Sequence, residues 1–148
     1  MRKPVLIVLF ALLLVGCRGQ ASPSSLPMVD MQIGNRTFHL EIARTEDQQE
    51  TGLMKRDSMP ADHGMIFVFA DEKEVAFWMK NTRFPLDIIY MDHLGKVVSI
   101  HQMKAYDLTP IYSGGPTQYA IELNVGAAED AGVHTGDQLQ IPPAARAP

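Results

Sequence analysis

Between residues 28 and 141 every apolar run or alternation is cut within a few positions by Gly, Pro, Asn, Asp or a polar cluster. Such pieces cannot supply the roughly 10–12 residues at helical period that a packed helix needs, so the chain is confined to short strands joined by turns. Residues 28–33 and 37–42 alternate on either side of Gly34-Asn35, a dipeptide suited to the positive φ angles of a two-residue hairpin. Residues 65–70 form a continuous apolar strand, and 75–80 alternate with Val75, Phe77 and Met79 on one face. Segments 86–91 and 96–103 make a second hairpin about Asp92-His93-Leu94-Gly95, and 118–123 and 138–141 complete the strands. Thr45 and Gln48 have capping-box spacing and open a short helix expected over 46–54; Asn124 is placed to cap a second ending at Gly132. The expected fold is mainly β, a compact β-sandwich or barrel-like domain with one or two short helices.

The N-terminus belongs to a different regime. Arg2 and Lys3 precede an uninterrupted apolar stretch over residues 5–15, then Gly16 and Cys17, the form of a secretory signal. The stretch falls well short of the ~20 residues of a membrane-spanning helix. Leu14-Val15-Gly16-Cys17 resembles the bacterial lipobox, and the resemblance implies cleavage before Cys17 and lipid attachment to its thiol. Acyl chains contribute ~0.8 kcal/mol per buried CH₂, so several of them hold a protein at a membrane without any apolar surface on the domain. Cys17 is the one cysteine in the chain, which excludes an internal disulfide. Arg18, where retained lipoproteins of Gram-negative cells carry Asp, resembles the pattern of sorting to the outer membrane, facing the periplasm. The expected organisation is a signal peptide over 1–16, an acylated tether rich in Ser and Pro over 17–27, a single domain over 28–141 and a flexible tail over 142–148.

Charge restricts the partners. The 148 residues carry a formal charge of −4, and removing 1–16 takes away Arg2 and Lys3 and no acidic group, leaving −6. Nucleic-acid binding, which needs a clustered excess of Lys and Arg, is not expected. The five histidines stand at no metal-ligand spacing, and the sequence has no nucleophile elbow and no phosphate-cradling glycine loop. Nine methionines raise the possibility of a Cu(I) site near Met91-Asp92-His93 and His101-Gln102-Met103. These motifs stand at opposite ends of a hairpin and methionine commonly fills cores, so neither metal nor cofactor is expected.

The densest concentration of unusual residues is Phe77-Trp78-Met79-Lys80-Asn81-Thr82 with Pro85-Leu86-Asp87-Ile88. Gly52-Leu53-Met54, Gly64-Met65-Ile66-Phe67-Val68-Phe69, Ser113-Gly114-Gly115, Glu122-Leu123-Asn124 with Gly126, Gly132 and Gly136-Asp137 accompany it in order along the chain. Together they resemble the domain of unknown function 192 family. The resemblance implies a compact β-rich fold, often exported, with no assigned activity. Many members carry cysteines in the loop before the Gly-Gly segment; residues 105–115 here contain none.

If Phe77 and Met79 point inward, Trp78 and Lys80 share the outer face, with Asn81 and Thr82 at the strand end. An indole beside Lys80, Asn81, Thr82, Asp87, Glu122 and Asn124 suits stacking on a sugar or another flat ligand, oriented by polar groups. The bland alternative buries Trp78, pairs Lys80 with Asp87 or Glu122, and uses the asparagines in turns. An enzymatic version makes Asp87 and Glu122 the carboxylates of a hydrolase or lyase, with Lys80 stabilising an anion. No nucleophile–base pair is visible, so binding is expected over catalysis. The expected function is that of a lipid-anchored envelope protein whose β domain binds a small ligand, a glycan for instance, or a partner protein. A purely structural envelope role is the remaining alternative.

Overall fold

A computed structural model describes residues 26–148, so the signal segment, Cys17 and most of the expected tether lie outside the described residues. Strands β1 (Met28–Ile33) and β2 (Arg36–Ala43) form the expected antiparallel hairpin. Gly34 at its tip has φ +56°, and a Cβ there would sit 1.9 Å from the Ala131 carbonyl oxygen, so the turn requires glycine. The capping box is formed: the Thr45 hydroxyl accepts from Gln48 N–H, and the Gln48 side chain accepts from Thr45 N–H. It starts α1 (Glu46–Thr51), which stops at Gly52, earlier than its apolar pattern suggests.

Strand β3 (His63–Lys73) returns parallel to β2. Parallel neighbours need a crossover of about a dozen residues or more, which α1 and the loop after it provide. β4 (Ala76–Phe77), β5 (Leu86–Met91), β6 (Val97–Met103), β7 (Ile111–Tyr112) and β8 (Thr117–Asn124) follow, then α2 (Ala127–Asp130). The main sheet runs β1-β2-β3-β8-β5-β6, with β8 antiparallel to both of its neighbours, and β4 pairs with β7 separately. The fold is mainly β and sandwich-like, with no closed barrel among the described residues.

Both faces of the main sheet are covered. One carries Phe38, Leu40, Ile42, Ile66, Ile89, Ile121 and Leu123, packed under α2 and the C-terminal segment. The other carries Met65, Phe67, Ile88, Tyr90 and Ala120. Over this second face lie Leu53, the β4–β7 pair through Phe77 and Ile111, and Met79. Phe77 packs edge-on against Phe67 at 4.8 Å and against Tyr90 at 5.8 Å, and the Tyr90 hydroxyl donates to the Ile111 carbonyl at 2.6 Å.

Residues 75–80, expected as one strand, pair only at Ala76 and Phe77. Beyond them the backbone turns toward the loop after β6: Met79 N–H donates to Asp107 O, Thr82 N–H to Met79 O, and Asn81 adopts φ +56°. The residues after Ile141, expected as a flexible tail, are docked. Arg44 donates to the carbonyls of Ala144 and Arg146, Ala145 is fully buried, and Ala147 N–H reaches the Tyr119 hydroxyl. An Ala-Pro-rich composition resembles a linker, but small residues also fit closely against a sheet. At the other end, Pro27 of the expected tether already accepts a hydrogen bond from Ile42 N–H.

Candidate ligand-binding site

Strand register creates the site. Across β2, β3, β8, β5 and β6 the residues Glu41, Met65, Glu122, Ile88 and His101 stand opposite one another, so they share one face of the sheet. Glu122 is thus placed mid-strand on the face that carries Phe67 and Tyr90, and it is only 5% exposed. Above it, α1, the residues after it and the β4 segment do not fully close over the sheet. They leave a cleft of about 420 Å³ lined by Leu53, Met54, Phe67, Phe77, Trp78, Thr82 and Glu122. That volume lies within the range of small-ligand sites, roughly 300–1,000 Å³.

Glu122 is chemically unusual. No hydrogen bond among the described residues reaches its carboxyl, and every fully enclosed side-chain polar atom has a partner, so its oxygens look onto the cleft. Burial raises its pKa from 4.5 to about 8, against a smaller opposing pull from Arg56. Arg56 is itself held by Glu41 in a bidentate pair, with N–O distances of 2.5 and 2.9 Å. Its charge is therefore largely matched before it can serve Glu122. Tyr90, on the same face, is also pushed upward by burial and stays a neutral phenol donating to Ile111.

Trp78 forms the rim. As the alternation predicts, Phe77 and Met79 turn inward while Trp78 is 49% exposed. The Lys80 ammonium lies 5.3 Å from the indole ring centre, a cation–π contact of about 0.5–1 kcal/mol at such an exposed place. Thr82 is buried and lines the cleft, whereas Lys80 and Asn81 line a smaller adjoining groove of about 310 Å³ that shares Glu50, Thr51, Met54 and Trp78 with it.

Two of the expected site residues lie elsewhere. Asp87 pairs in register with Leu123 and so faces the opposite side of the sheet from Glu122. There it is 2% exposed and accepts from Ala128 N–H at 2.9 Å, supplying an acceptor at the start of α2. Asn124 does not cap that helix; Gly126 precedes it with no side-chain cap, and Asn124 Nδ2 instead donates to the carbonyls of Met59 and Pro60. The two carboxylates of the enzymatic version are thus separated by the sheet itself. An odd number of positions between register partners places side chains on opposite faces, and sequence spacing reveals this only once the pairing is known.

The Gly-Gly segment is structural: the buried Ser113 hydroxyl accepts from Val75 N–H and donates to Gly115 O, while Ser99 donates to Ser113 O. Met91 and Met103 belong to the cores on opposite faces, so the two Met/His motifs do not converge. His39 and His63, distant in sequence, are brought together by the parallel β2–β3 register with ring centres 5.3 Å apart. Each is engaged through Nδ1, by Asp30 at 2.6 Å and Asp62 at 2.8 Å, and among the described residues no cluster of three or more His, Cys, Asp or Glu is arranged to hold a metal. Phe67, Phe77, Leu53 and Met54 are lining residues that the sequence marks only as core; the Glu41–Arg56 pair carries no sequence signal at all.

A crystal structure of a candidate transcription regulator from Sinorhizobium meliloti 1021 superposes with TM-score 0.74 at 34% identity, covering 80% of this chain and 97% of that one. A protein of unknown function from Novosphingobium aromaticivorans DSM 12444 superposes with TM-score 0.75, also at 34% identity, covering 82% and 94%. No curated protein matches the chain. The family model for DUF192, described as an uncharacterized ACR, matches residues 29–141, which takes in every strand and helix of the main sheet and the whole cleft. The chain belongs to the domain of unknown function 192 family.

Proposed function

We propose that this is an exported, lipid-anchored envelope protein whose β domain binds a small ligand in the Trp78–Glu122 cleft. The observation that carries the binding reading is Glu122, a buried side chain whose carboxyl has no hydrogen-bond partner among the described residues and faces an aromatic-walled cleft. A fold gains nothing from such a group: its carboxylate is partly stripped of water while no protein donor among the described residues replaces that water, and an apolar residue would fill the place better. Trp78 supplies a half-exposed aromatic face at the mouth, suited to stacking on a sugar or similar ring. Anchoring through Cys17 rests on the signal segment and the lipobox resemblance, and periplasmic exposure follows from it.

The nucleic-acid role suggested by the description of the Sinorhizobium protein is not carried over, because a charge of −6 beyond residue 16 disfavours phosphate backbones. Trp78 is the only tryptophan, so intrinsic fluorescence reports on the site directly. Titrating the purified protein with soluble peptidoglycan fragments and other envelope glycans should shift its emission saturably, and Trp78→Ala should abolish binding measured by calorimetry. Saturable binding that Trp78→Ala and Glu122→Gln both leave intact would place the site elsewhere. The anchor is tested by intact mass and membrane partitioning: Cys17→Ser should lose the lipid mass and become soluble.

A further inference from the structure

Resting on the reading of the cleft as a ligand site, we propose that the group it takes in is an organic ammonium, a protonated or quaternary amine, ion-paired to the Glu122 carboxylate and enclosed by Phe67, Phe77 and Trp78. Three observations point to a cation. The floor is a carboxyl that no donor among the described residues reaches, although an arginine stands nearby. Four aromatic side chains, Phe67, Phe69, Phe77 and Trp78, line the cleft, and aromatic rings attract cations, most strongly where water is excluded. The charged groups at the rim are Glu50, Glu74 and Lys73, so the opening is negative by one unit even while Glu122 is protonated. An anion would meet Glu50 and Glu74 at the opening with only Lys73 to offset them, and would find Arg56 already paired to Glu41.

The remaining charged or titratable groups around Glu122 leave this choice intact. From β2 and the loop after α1 come Glu41 and Arg56, which match each other. Tyr90, from β5, is held neutral by burial. His101 of β6 stands on the same face but beyond Ile88. Lys80 lies over the Trp78 ring and lines the neighbouring groove, not the cleft itself.

Binding has a definite proton balance. The free protein holds Glu122 as the acid; a cation entering stabilises the carboxylate, the O–H bond breaks, and the proton passes to solvent. Each ammonium bound below pH 8 therefore releases up to one proton, while a neutral ligand accepting a hydrogen bond from the acid releases none.

The test is calorimetric titration of the purified protein with choline, its neutral isostere 3,3-dimethyl-1-butanol, and butyrate, from pH 5.5 to 9 and in two buffers of different ionisation enthalpy. Choline carries a permanent charge, so any pH dependence belongs to the protein. Its affinity should rise about tenfold per pH unit up to about pH 7.5 and level off above pH 8, with proton release seen as a buffer-dependent heat. The isostere and butyrate should bind at least tenfold more weakly at pH 8, and Glu122→Gln should reduce choline affinity at least tenfold and remove its pH dependence. Choline affinity that is flat in pH, or matched by the neutral isostere, overturns the inference. Glycans that perturb Trp78 while choline and simple amines do not would overturn it and leave the ligand-binding reading standing; silence from every probe would remove both.

Discussion

Replacing Glu122 with Gln should make the protein more stable, increasingly so as pH rises. The folded chain holds this group near pKa 8 through burial, against 4.5 when unfolded. Between those values the native state binds one proton more than the unfolded state, so stability is greatest in acid and falls as pH rises. At about 1.4 kcal/mol per pH unit, the wild type loses on the order of 3–4 kcal/mol between pH 5 and pH 8 through this group alone. Glutamine has the same shape and no charge to desolvate, so the variant escapes that loss. The measurement is urea unfolding at several pH values, followed by Trp78 fluorescence and circular dichroism, with the slope m checked for constancy. His39, whose pKa is raised by its hydrogen bond to Asp30, contributes stability that is complete in acid and lost as pH climbs through its folded value. That contribution is common to both proteins and cancels in their difference. A difference between variant and wild type that stays flat from pH 5 to pH 8 would refute the buried, unpartnered carboxyl on which the site rests.

Asp87→Ala should cost about 1–3 kcal/mol by leaving the buried Ala128 N–H without an acceptor, yet leave ligand-induced Trp78 fluorescence unchanged, since Asp87 lies on the other side of the sheet. Gly34→Ala should cost about 2 kcal/mol or more, read by thermal unfolding, because the hairpin tip needs positive φ and abuts the Ala131 carbonyl. Arg56→Ala removes the one positive charge that lowers the Glu122 pKa and leaves Glu41 unpaired. It should destabilise by about 1–3 kcal/mol at neutral pH and move the upper end of the Glu122 titration to higher pH, as followed by carboxyl NMR shifts.

The sequence announces local structure well where one short-range device decides it. Gly34-Asn35 and the Thr45/Gln48 box act within a few residues, and both are formed as expected. It announces poorly whatever depends on a partner far along the chain. The segment 75–80 alternates like a strand, but Asp107 and Thr82 claim its backbone groups after Phe77. Asn124 has the composition of a cap and the start of α2 lies close, yet the acceptor there comes from Asp87, 41 residues before Ala128 in the sequence. The site follows the same rule. Trp78, Thr82 and Glu122 converge because β8 inserts between β3 and β5, a topology no local pattern specifies.

That insertion also explains why the two faces of the sheet treat a buried carboxylate differently. Beneath α2 the row Ile66, Ile121 and Ile89 is closed by Ala127, Ala128 and the C-terminal segment, and the groove of about 390 Å³ left at the edge of that helix is lined by Asp87, Ala128 and Val133 with no Phe, Tyr or Trp in its walls. Its single buried carboxylate, Asp87, accepts from a backbone N–H. On the opposite face the covering elements are a six-residue helix, a two-residue strand pair and loops, too short to close over the centre of the sheet. There the central strand β8 places Glu122 where no hydrogen bond among the described residues reaches its carboxyl. Two buried carboxylates one residue apart in register thus have opposite consequences, because one meets a helix start and the other an opening. Substitutions beneath α2 should therefore report on stability and leave binding alone, while substitutions around Glu122 should trade one for the other, gaining stability as the cleft loses its charge.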